Sequence, residues 1–285
     1  MFGRERIEYK TVAQVRTMRR AGLVVAAALD AVRAAVRPGV TTAELDEVAA
    51  RVIADAGATS NFLGYHGYPR TVCSSVDDEV VHGIPGDRVL RPGQLVSVDC
   101  GAVVDGWHGD AAFSVLVPDV DGSDVSSAAD RALVAATEES LWRGIAALRV
   151  GEPVARVGEA VDDFVTHECD GRYGLVEEYT GHGIGTAMHQ PPEVLNYRAG
   201  GRSPRVRAGL CVAVEPMLTA GSAATRLLDD GWTVVTADGS RAAHVEHSVA
   251  VLADGLFVLT APDGGRARLE AMGVRVSDAV EPAAA

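Results

Sequence analysis

Two distant stretches of the chain share one pattern, a glycine turn followed by a short apolar run that ends in a carboxylate. RPGQLVSVD ends in Asp99, and RAGLCVAVE ends in Glu215. Each acid has a second partner downstream, because HGDAAFSVLV matches HVEHSVAVL and aligns Asp110 with Glu246. A carboxylate at the end of an apolar run is costly to bury alone, and metal coordination removes that cost. Four aligned acids therefore predict a two-metal site between two fused halves.

The match extends to the neighbours of these acids. HGIP at residues 82–85 corresponds to HGIG at 182–185, so a histidine precedes each acid pair, and AAVRPG at 34–39 corresponds to AALRVG at 146–151. The matched segments lie at least about 100 residues apart, which is far longer than the units of solenoids and propellers. Because several segments match in the same order, we interpret the chain as a duplicated domain folded about a pseudo-twofold axis.

The first acid pair can be placed by the geometry of a β-hairpin. Asp105-Gly106 is typical of a two-residue turn with positive φ at both positions, and such a turn sets Gly101 opposite Asp110. Side chains alternate along a strand, so Asp99 shares a face with Gly101 and lies diagonally from Asp110, roughly 7 Å away at Cβ. Gly101 has no side chain, and we expect it to leave the space between the acids open. Two carboxylates this close repel each other unless a cation lies there.

Among the histidines, His182 is the best candidate for a metal ligand, because its glycine-rich surroundings let the backbone approach a site closely. His82 and His189 are intermediate candidates. We expect His66, His167 and His247 to be packed or surface side chains without a role in metal binding. Cys100 directly follows Asp99 and points to the opposite face of the strand, so we expect it in the core.

The elements that would position these residues form two similar series. Helices are predicted in two pairs, at 11–36, 42–57, 126–148 and 153–168, with Thr41 or Thr42 as N-cap of the second. Strands are predicted after each pair, at 71–76, 79–82, 94–103 and 107–117, then at 175–181, 210–218, 232–236, 243–251 and 256–260. This order predicts an α+β fold in which two helix pairs cover one face of a curved antiparallel sheet.

Domain organisation follows from the repeat. We expect residues 1–262 to form a single catalytic domain, with pseudo-symmetric halves at about 10–122 and 123–262. A C-terminal tail at 263–285 ends in EPAAA, and we expect the end of this tail to be disordered.

Composition narrows the class of protein. With 285 residues, of which 47% are hydrophobic, the chain can bury a sizeable core, and its net charge of −13 argues against nucleic acid as the main ligand. The charged start lacks the apolar run of a signal peptide, and Asp30 and Arg33 interrupt the apolar stretch from Ala21 to Val36, so we expect no membrane span. Four cysteines without CxxC spacing suit a reduced compartment. These features favour a cytoplasmic protein, with a monomer as the default state.

Seven motifs together resemble the type I methionine aminopeptidases. They are LGYHGYP (63–69), VHGIPG (81–86), VDCGAVVDGWHGDAAFSV (98–115), YTGHGIGTAMHQPPEVLNY (179–197), VEPM (214–217), DDGWTVVT (229–236) and AHVEHSV (244–249). The resemblance covers about residues 5–262 and implies the family's pseudo-twofold "pita-bread" fold, which agrees with the repeat. It also implies the five ligands of a two-metal centre, namely Asp99, Asp110, His182, Glu215 and Glu246, with Asp110 and Glu246 bridging the ions.

The resemblance implies roles on the substrate side as well. His82 and His189 match histidines that hydrogen-bond the substrate, and Glu215 is implied both as a ligand and as the general base. The pocket for the methionine side chain corresponds to Tyr65, Tyr68, Cys73, Met188 and Trp232. Several relatives have an aromatic residue where this chain has Met188, whose polarizable thioether still suits an apolar pocket.

The implied function is that of a metalloaminopeptidase. It removes the N-terminal methionine from nascent proteins and peptides, at the ribosome, when the second residue is small, and two divalent ions activate the water. The mixed carboxylate and imidazole ligands suit Co, Mn, Fe or Zn.

Three alternatives are weaker. A proline-directed aminopeptidase shares the fold and the ligands, but those relatives usually carry a large additional N-terminal domain. A non-enzymatic binding module on this fold loses metal ligands, whereas all five are present here. A di-metal phosphoesterase is disfavoured because the resemblance assigns every ligand to a peptidase.

Overall fold

The computed structural model describes residues 6–281, and local signals explain where its helices begin. Capping boxes open the first two helices, with Thr11 paired to Gln14 and Thr41 paired to Glu44. Thr41, and not Thr42, is therefore the N-cap of the second helix. The helices in this range are α1 (Val12–Ala35), α2 (Thr42–Asp55), α3 (Ala128–Ala146), α4 (Arg156–Asp163) and α5 (Arg266–Ala271).

The strands of residues 6–281 are short outside the central sheet. They are β1 (Thr59–Ser60), β2 (Val72–Val76), β3 (Glu79–Val81), β4 (Leu95–Val104), β5 (Trp107–Leu116), β6 (Gly174–Leu175), β7 (Gly181–Gly183), β8 (Gln190–Val194), β9 (Cys211–Val214), β10 (Met217–Thr219), β11 (Thr225–Leu227), β12 (Val234–Thr236), β13 (Ala242–His244), β14 (Glu246–Leu252) and β15 (Gly255–Val258).

One antiparallel sheet of nine strands dominates the fold. Its order is β1-β4-β5-β14-β9-β7-β8, with β2 also paired to β4 and β15 to β14. The contact of β5 with β14 joins the two halves of the chain, and β4 and β9 flank it from either side. Two three-stranded sheets, β13-β10-β6 and β11-β12-β3, complete the fold. The predicted α+β architecture with an antiparallel sheet is confirmed.

Each helix pair packs mainly against its own half of the sheet. The first core joins α1 and α2 to β2, β4 and β5, and the second joins α3 and α4 to β9, β14 and β15. The first core includes Leu29, Leu45 and Phe113, and the second core includes Ile145, Val157 and Val249. The start of α1, with Val15 and Met18, is also buried in the second core. Helix α1 crosses β5 closely, because a Cβ on Gly109 would lie 2.9 Å from the backbone nitrogen of Gly22.

Several predicted elements are divided in the structure. The strand predicted at 210–218 is interrupted at Glu215-Pro216, where proline has no N–H for the ladder. The strand predicted at 243–251 is interrupted at Val245, between β13 and β14. The fourth helix begins at Arg156 and ends in a single π-helical turn, Phe164–Glu168, so it is shorter than the predicted 153–168.

The C-terminal tail is packed over most of its length. After α5, Val276 forms a parallel bridge with Leu256, and Val280 is buried against the second core. The guanidinium of Arg19 then forms an ion pair of 2.8 Å with Glu281. This segment is therefore packed up to residue 281, because its apolar side chains, among them Leu269, Val276 and Val280, are buried in the second core. Residues 282–285, where the predicted disorder also falls, lie outside the described residues.

Candidate metal centre

The central strands bring the predicted acids together on one face of the sheet. Asp99 of β4 lies opposite Ala112 of β5, and Ala112 lies opposite Glu246 of β14. Asp110 precedes Ala112 by two residues and therefore shares its face. Glu215 directly follows β9, the other neighbour of β14. The four acids come from both halves of the chain, and the sheet register alone explains why they meet.

The hairpin prediction is right in its register and wrong about the space between the acids. Asp105 and Gly106 have φ of 50° and 76°, and Gly101 lies opposite Asp110. The space above Gly101 is not open, because a Cβ at this position would lie 2.3 Å from Nδ2 of Asn61. The absence of a side chain on Gly101 makes room for a buried amide.

Asn61 is a neighbour of the site that sequence reasoning missed. Its Nδ2 donates to the carbonyl oxygen of Gly109 at 3.1 Å, and its Oδ1 lies 2.9 Å from Nδ1 of His108. No repeated motif includes Asn61, so the sequence carried no signal for this placement. The hydrogen bond between Asn61 and His108 holds both side chains in place beside the first acid pair.

The acids are buried with oxygens that no group in residues 6–281 satisfies. These atoms are Oδ1 of Asp99, Oδ1 of Asp110 and Oε1 of Glu246. Burial raises the pKa of Asp110 to about 7, and burial together with the charge of Asp110 raises the pKa of Asp99, Glu215 and Glu246 well above the ordinary range. Such a cluster is costly unless cations neutralise it, so the donor set fits bound divalent ions.

His182 of β7 turns one ring nitrogen toward these acids. Its Nδ1 lies 3.0 Å from the carbonyl oxygen of Gly183, and this bond requires the proton on Nδ1. Burial lowers the pKa of His182 to about 3, so the ring is neutral and Nε2 keeps a free lone pair. That Nε2 lies 3.4 Å from Oε1 of Glu215. Ligand atoms of Asp110, His182 and Glu246 also lie within 4.8 Å of one another, which suits a shared ion.

The two predicted substrate histidines lie beside this cluster, in the wall of the adjoining cavity. The His189 ring is 4.3 Å from that of His182, centroid to centroid. The His82 ring packs edge-on against Tyr179 and Trp232, at 5.6 and 6.2 Å. Burial lowers the pKa of both histidines, that of His82 to about 4, so both rings are neutral near pH 7.

A cavity of about 140 Å³ is lined both by the acids and histidines of this cluster and by apolar and aromatic side chains. All five predicted pocket residues line it: Tyr65, Tyr68, Cys73, Met188 and Trp232. Sequence reasoning missed Phe62, which belongs to the same buried cluster, with Ile84 packed against it. Phe62 stands immediately before the LGYHGYP motif, and its apolar side chain beside two tyrosines was the available signal.

Sequence reasoning also left His244 unassigned. Its side chain is buried, and its Nε2 lies 3.9 Å from Oε2 of Glu215. Atoms of Glu215, His244 and Glu246 form a second group within 4.8 Å. The signal was present in the repeat, which aligns His244 with His108.

The residues that were expected to have no role in metal binding are packed or exposed side chains in the structure. Cys100 is fully buried in the first core, and His66 and His167 are exposed. His247 lies next to Glu246 and bonds through Nδ1 to the hydroxyl of Thr260, at 2.8 Å. None of the helices in residues 6–281 combines the length and apolar character that a bilayer crossing requires.

Comparison with known proteins places this arrangement in context. The family model of metallopeptidase family M24 matches residues 16–253. Methionine aminopeptidase 1 of Mycobacterium tuberculosis is 51% identical over 263 residues, which are 90% of this chain and 96% of the relative. Methionine aminopeptidase 1 of Bacillus subtilis is 39% identical, with coverages of 88% and 98%. The crystal structure of methionine aminopeptidase from Rickettsia prowazekii has a TM-score of 0.84 and 34% identity, and 90% of this chain matches 100% of that chain.

Proline-directed enzymes share the fold at greater distance. The prolidase from Pyrococcus furiosus has a TM-score of 0.67 and 16% identity, which shows the fold alone. The match takes in 89% of this chain and 65% of that enzyme. The prolidase is thus considerably longer than the part shared with this chain.

Proposed function

The chain belongs to metallopeptidase family M24, and we propose that within this family it is a methionine aminopeptidase, which removes the N-terminal methionine from peptides and proteins. The observation that carries the proposal is a set of four acids and His182, of which Asp99, Asp110 and Glu246 are buried, in the wall of a cavity that apolar side chains also line. A hydrolytic centre beside an apolar pocket suits a terminal residue with a long apolar side chain.

The residues that hold the metal are proposed from the unsatisfied atoms. We propose that Asp99, Asp110, His182, Glu215 and Glu246 would together hold two divalent ions. Co, Mn, Fe and Zn all suit this donor set. The raised pKa values of the acids support the assignment, because cations favour the ionised carboxylates that burial alone disfavours.

The mechanism assigns each side chain a separate task. When bound, the ions polarise the scissile carbonyl and lower the pKa of a water molecule toward ~7. Glu215 accepts a proton from this water and delivers it toward the leaving amine. His189 and His82 are neutral and donate hydrogen bonds, one to the peptide carbonyl and one to the developing oxyanion.

Substrate selection is proposed from the cavity. Tyr68, Cys73 and Met188 are almost fully buried in its wall, and Trp232 packs at 5.0 Å from Tyr68, ring centroid to centroid. A thioether chain gains dispersion and hydrophobic contacts with such a wall. We also propose that the enzyme requires a small second residue, since the residue after the scissile bond must sit beside the acids and histidines.

The proposed setting is the cytoplasm, where the substrates are N-termini of nascent polypeptides at the ribosome. All four cysteines are free and buried, and three of them lie in strands of the central sheet, which suits a reducing compartment. We propose a monomer without membrane association, and we propose no nucleic acid as a main ligand because the chain carries a net charge of −13.

Peptide digestion with ions removed and restored tests the function. The protein is treated with a chelator, and Met-Ala-Ser, Met-Lys-Ser and Ala-Pro-Ser peptides are supplied before and after addition of Mn²⁺ or Co²⁺. We expect methionine release from Met-Ala-Ser after ion addition, with Met-Lys-Ser largely intact. Cleavage of Ala-Pro-Ser with Met-Ala-Ser untouched would establish a proline-directed enzyme instead.

A further inference from the structure

His244 is a buried imidazole that the proposed mechanism does not use. In the internal repeat it corresponds to His108, and each of these histidines precedes an acid of the cluster by two residues, Asp110 or Glu246. The side chain of His244 is 2% exposed. Because a histidine occupies the same place in both halves, the hydrogen-bond partners of the two imidazole rings can be compared.

The two histidines differ in their partners. In the first half, Nδ1 of His108 is paired with Oδ1 of Asn61 at 2.9 Å. In the second half, Nε2 of His244 is buried and has no hydrogen-bond partner among the described residues. Leaving a buried ring nitrogen without a hydrogen bond is unfavourable, so a partner is expected at this site.

The nearest acceptor is the second oxygen of Glu215. Nε2 of His244 lies 3.9 Å from Oε2, while Nε2 of His182 lies 3.4 Å from Oε1. The carboxylate of Glu215 thus lies between two imidazole nitrogens, one on each oxygen. Closing the gap to a normal hydrogen bond of ~2.9 Å requires a shift of about 1 Å, which rotation of the Glu215 side chain can supply.

The backbone of His244 is already fixed. Its N–H donates to the hydroxyl oxygen of Ser114 at 3.0 Å, and that hydroxyl donates to the carbonyl oxygen of His244 at 2.8 Å. Ser114 lies on β5 and is also hydrogen-bonded to Ser97 on β4. The imidazole therefore projects from a backbone that is anchored to the central hairpin.

We propose that His244 is a positioning residue for Glu215. Its Nε2–H donates to Oε2 and holds the carboxylate with Oε1 on the side of His182, where a bound ion would meet both side chains. This inference rests on the proposed function, because it assigns Glu215 as ligand and base. Hydrogen-bond partners of metal ligands typically contribute about 10–100-fold to ion affinity or activity, and that is the expected size of the effect.

Three variants test the proposal. His244→Leu keeps the bulk and removes the donor, His244→Gln restores a donor, and His247→Leu removes a neighbouring histidine that bonds to Thr260 instead. Mn²⁺ affinity is measured by calorimetry, Co²⁺ coordination by visible absorption, and kcat and KM on Met-Ala-Ser at saturating Mn²⁺. We expect His244→Leu to lose about 10–100-fold in Mn²⁺ affinity and kcat with little change in KM, and to alter the Co²⁺ spectrum. His244→Gln should recover most of each loss, and His247→Leu should keep the wild-type affinity.

Other results would overturn the proposal. Wild-type affinity and kcat in His244→Leu would show that no hydrogen bond to Glu215 matters. Equal losses in His244→Leu and His244→Gln, or in His247→Leu, would show that packing and not a donor is responsible. Failure of the proposed function is separable, because wild-type protein would then leave Met-Ala-Ser intact while calorimetry still compares the ion affinities.

Discussion

The hydroxyl of Tyr65 lies 2.7 Å from Nδ1 of His189. When the hydroxyl donates, Nδ1 is the acceptor and the single proton of the neutral imidazole is on Nε2. In that arrangement Tyr65 does more than line the apolar cavity, because its hydroxyl stabilises the tautomer in which His189 can donate a hydrogen bond from Nε2.

Tyr65→Phe should therefore lower kcat by about tenfold, the effect of losing roughly 1–1.5 kcal/mol of hydrogen-bond energy. The ion content should not change, since Tyr65 is not among the proposed ligands. Steady-state kinetics and metal analysis of the purified variant check this. An unchanged kcat would mean that His189 keeps its tautomer without the hydroxyl.

Asp99→Asn should abolish peptidase activity and reduce the bound metal per chain, because a neutral amide replaces a buried charged ligand of similar size. Asp46→Asn is a matched control, since Asp46 is also buried but accepts hydrogen bonds from the backbone of Thr71 and Val72. The control should lower the melting temperature and keep the metal. The test is the metal content per chain and the peptidase activity of both variants. Two bound ions and full activity in Asp99→Asn would refute the assignment of Asp99 as a ligand.

His82→Ala and His182→Ala should separate catalysis from ligation. We expect His82→Ala to retain its ions and lose kcat by about two to four orders of magnitude, as for a removed oxyanion donor or acid–base group. His182→Ala should weaken ion binding, because Nε2 of His182 faces the acids. Paired metal counts and kinetics are the measurement. Equal metal loss in the two variants would mean that His82 is a ligand.

Met188→Ala should widen the cavity and weaken its hold on a methionine side chain. We expect kcat/KM on Met-Ala-Ser to fall by about 10–100-fold, the usual effect of removing apolar contacts from a specificity pocket. Met18→Ala is the control, because Met18 is fully buried in the second core and does not line the cavity. The control should lose stability while kcat/KM, measured below its melting temperature, stays near wild type.

The stability of the ion-free protein should fall between pH 6.5 and 8. Burial raises the pKa of Asp110 to about 7, and burial together with the neighbouring acids raises the pKa of Asp99 and Glu246 well above the ordinary range, so the folded, ion-free protein binds more protons than the unfolded chain. The free energy of unfolding therefore decreases as pH rises through this window. Buried histidines such as His247, whose pKa is lowered to about 4, act in the opposite direction up to and around pH 6.5, and their effect fades about one pH unit above it, once the histidines of the unfolded chain have lost their protons.

Melting temperatures with a chelator and with saturating Mn²⁺ check this pH dependence. With the chelator we expect the melting temperature to decrease by about 2–4 °C from pH 6.5 to 8. A loss of about 1 kcal/mol in the free energy of unfolding produces a shift of this size in a domain of 150–250 residues. With Mn²⁺ the decrease should vanish, because the acids are then ionised in the folded state. A rise with the chelator would contradict the clustering of the acids.

Local and periodic features of the sequence determined much of this protein. The turn Asp105-Gly106 fixed which residues of the hairpin face each other, because a two-residue turn allows one register. The internal repeat then identified Asp99, Asp110, Glu215 and Glu246 as equivalent acids, since a duplicated fold places matched residues at matched positions. Motif resemblance added the pocket residues and the expected function, and the family comparison agrees with it.

Tertiary structure alone decided the features that depend on contacts between distant segments. Asn61 fills the space over Gly101, and no spacing rule connects a loop residue to a glycine forty positions away. Val280 packs against the second core although its neighbours suggest a disordered tail. The placement of His244 beside Glu215 likewise follows from the break at Pro216 and from the pairing of separate strands, because side chains that are remote in the chain meet only when the whole sheet is assembled.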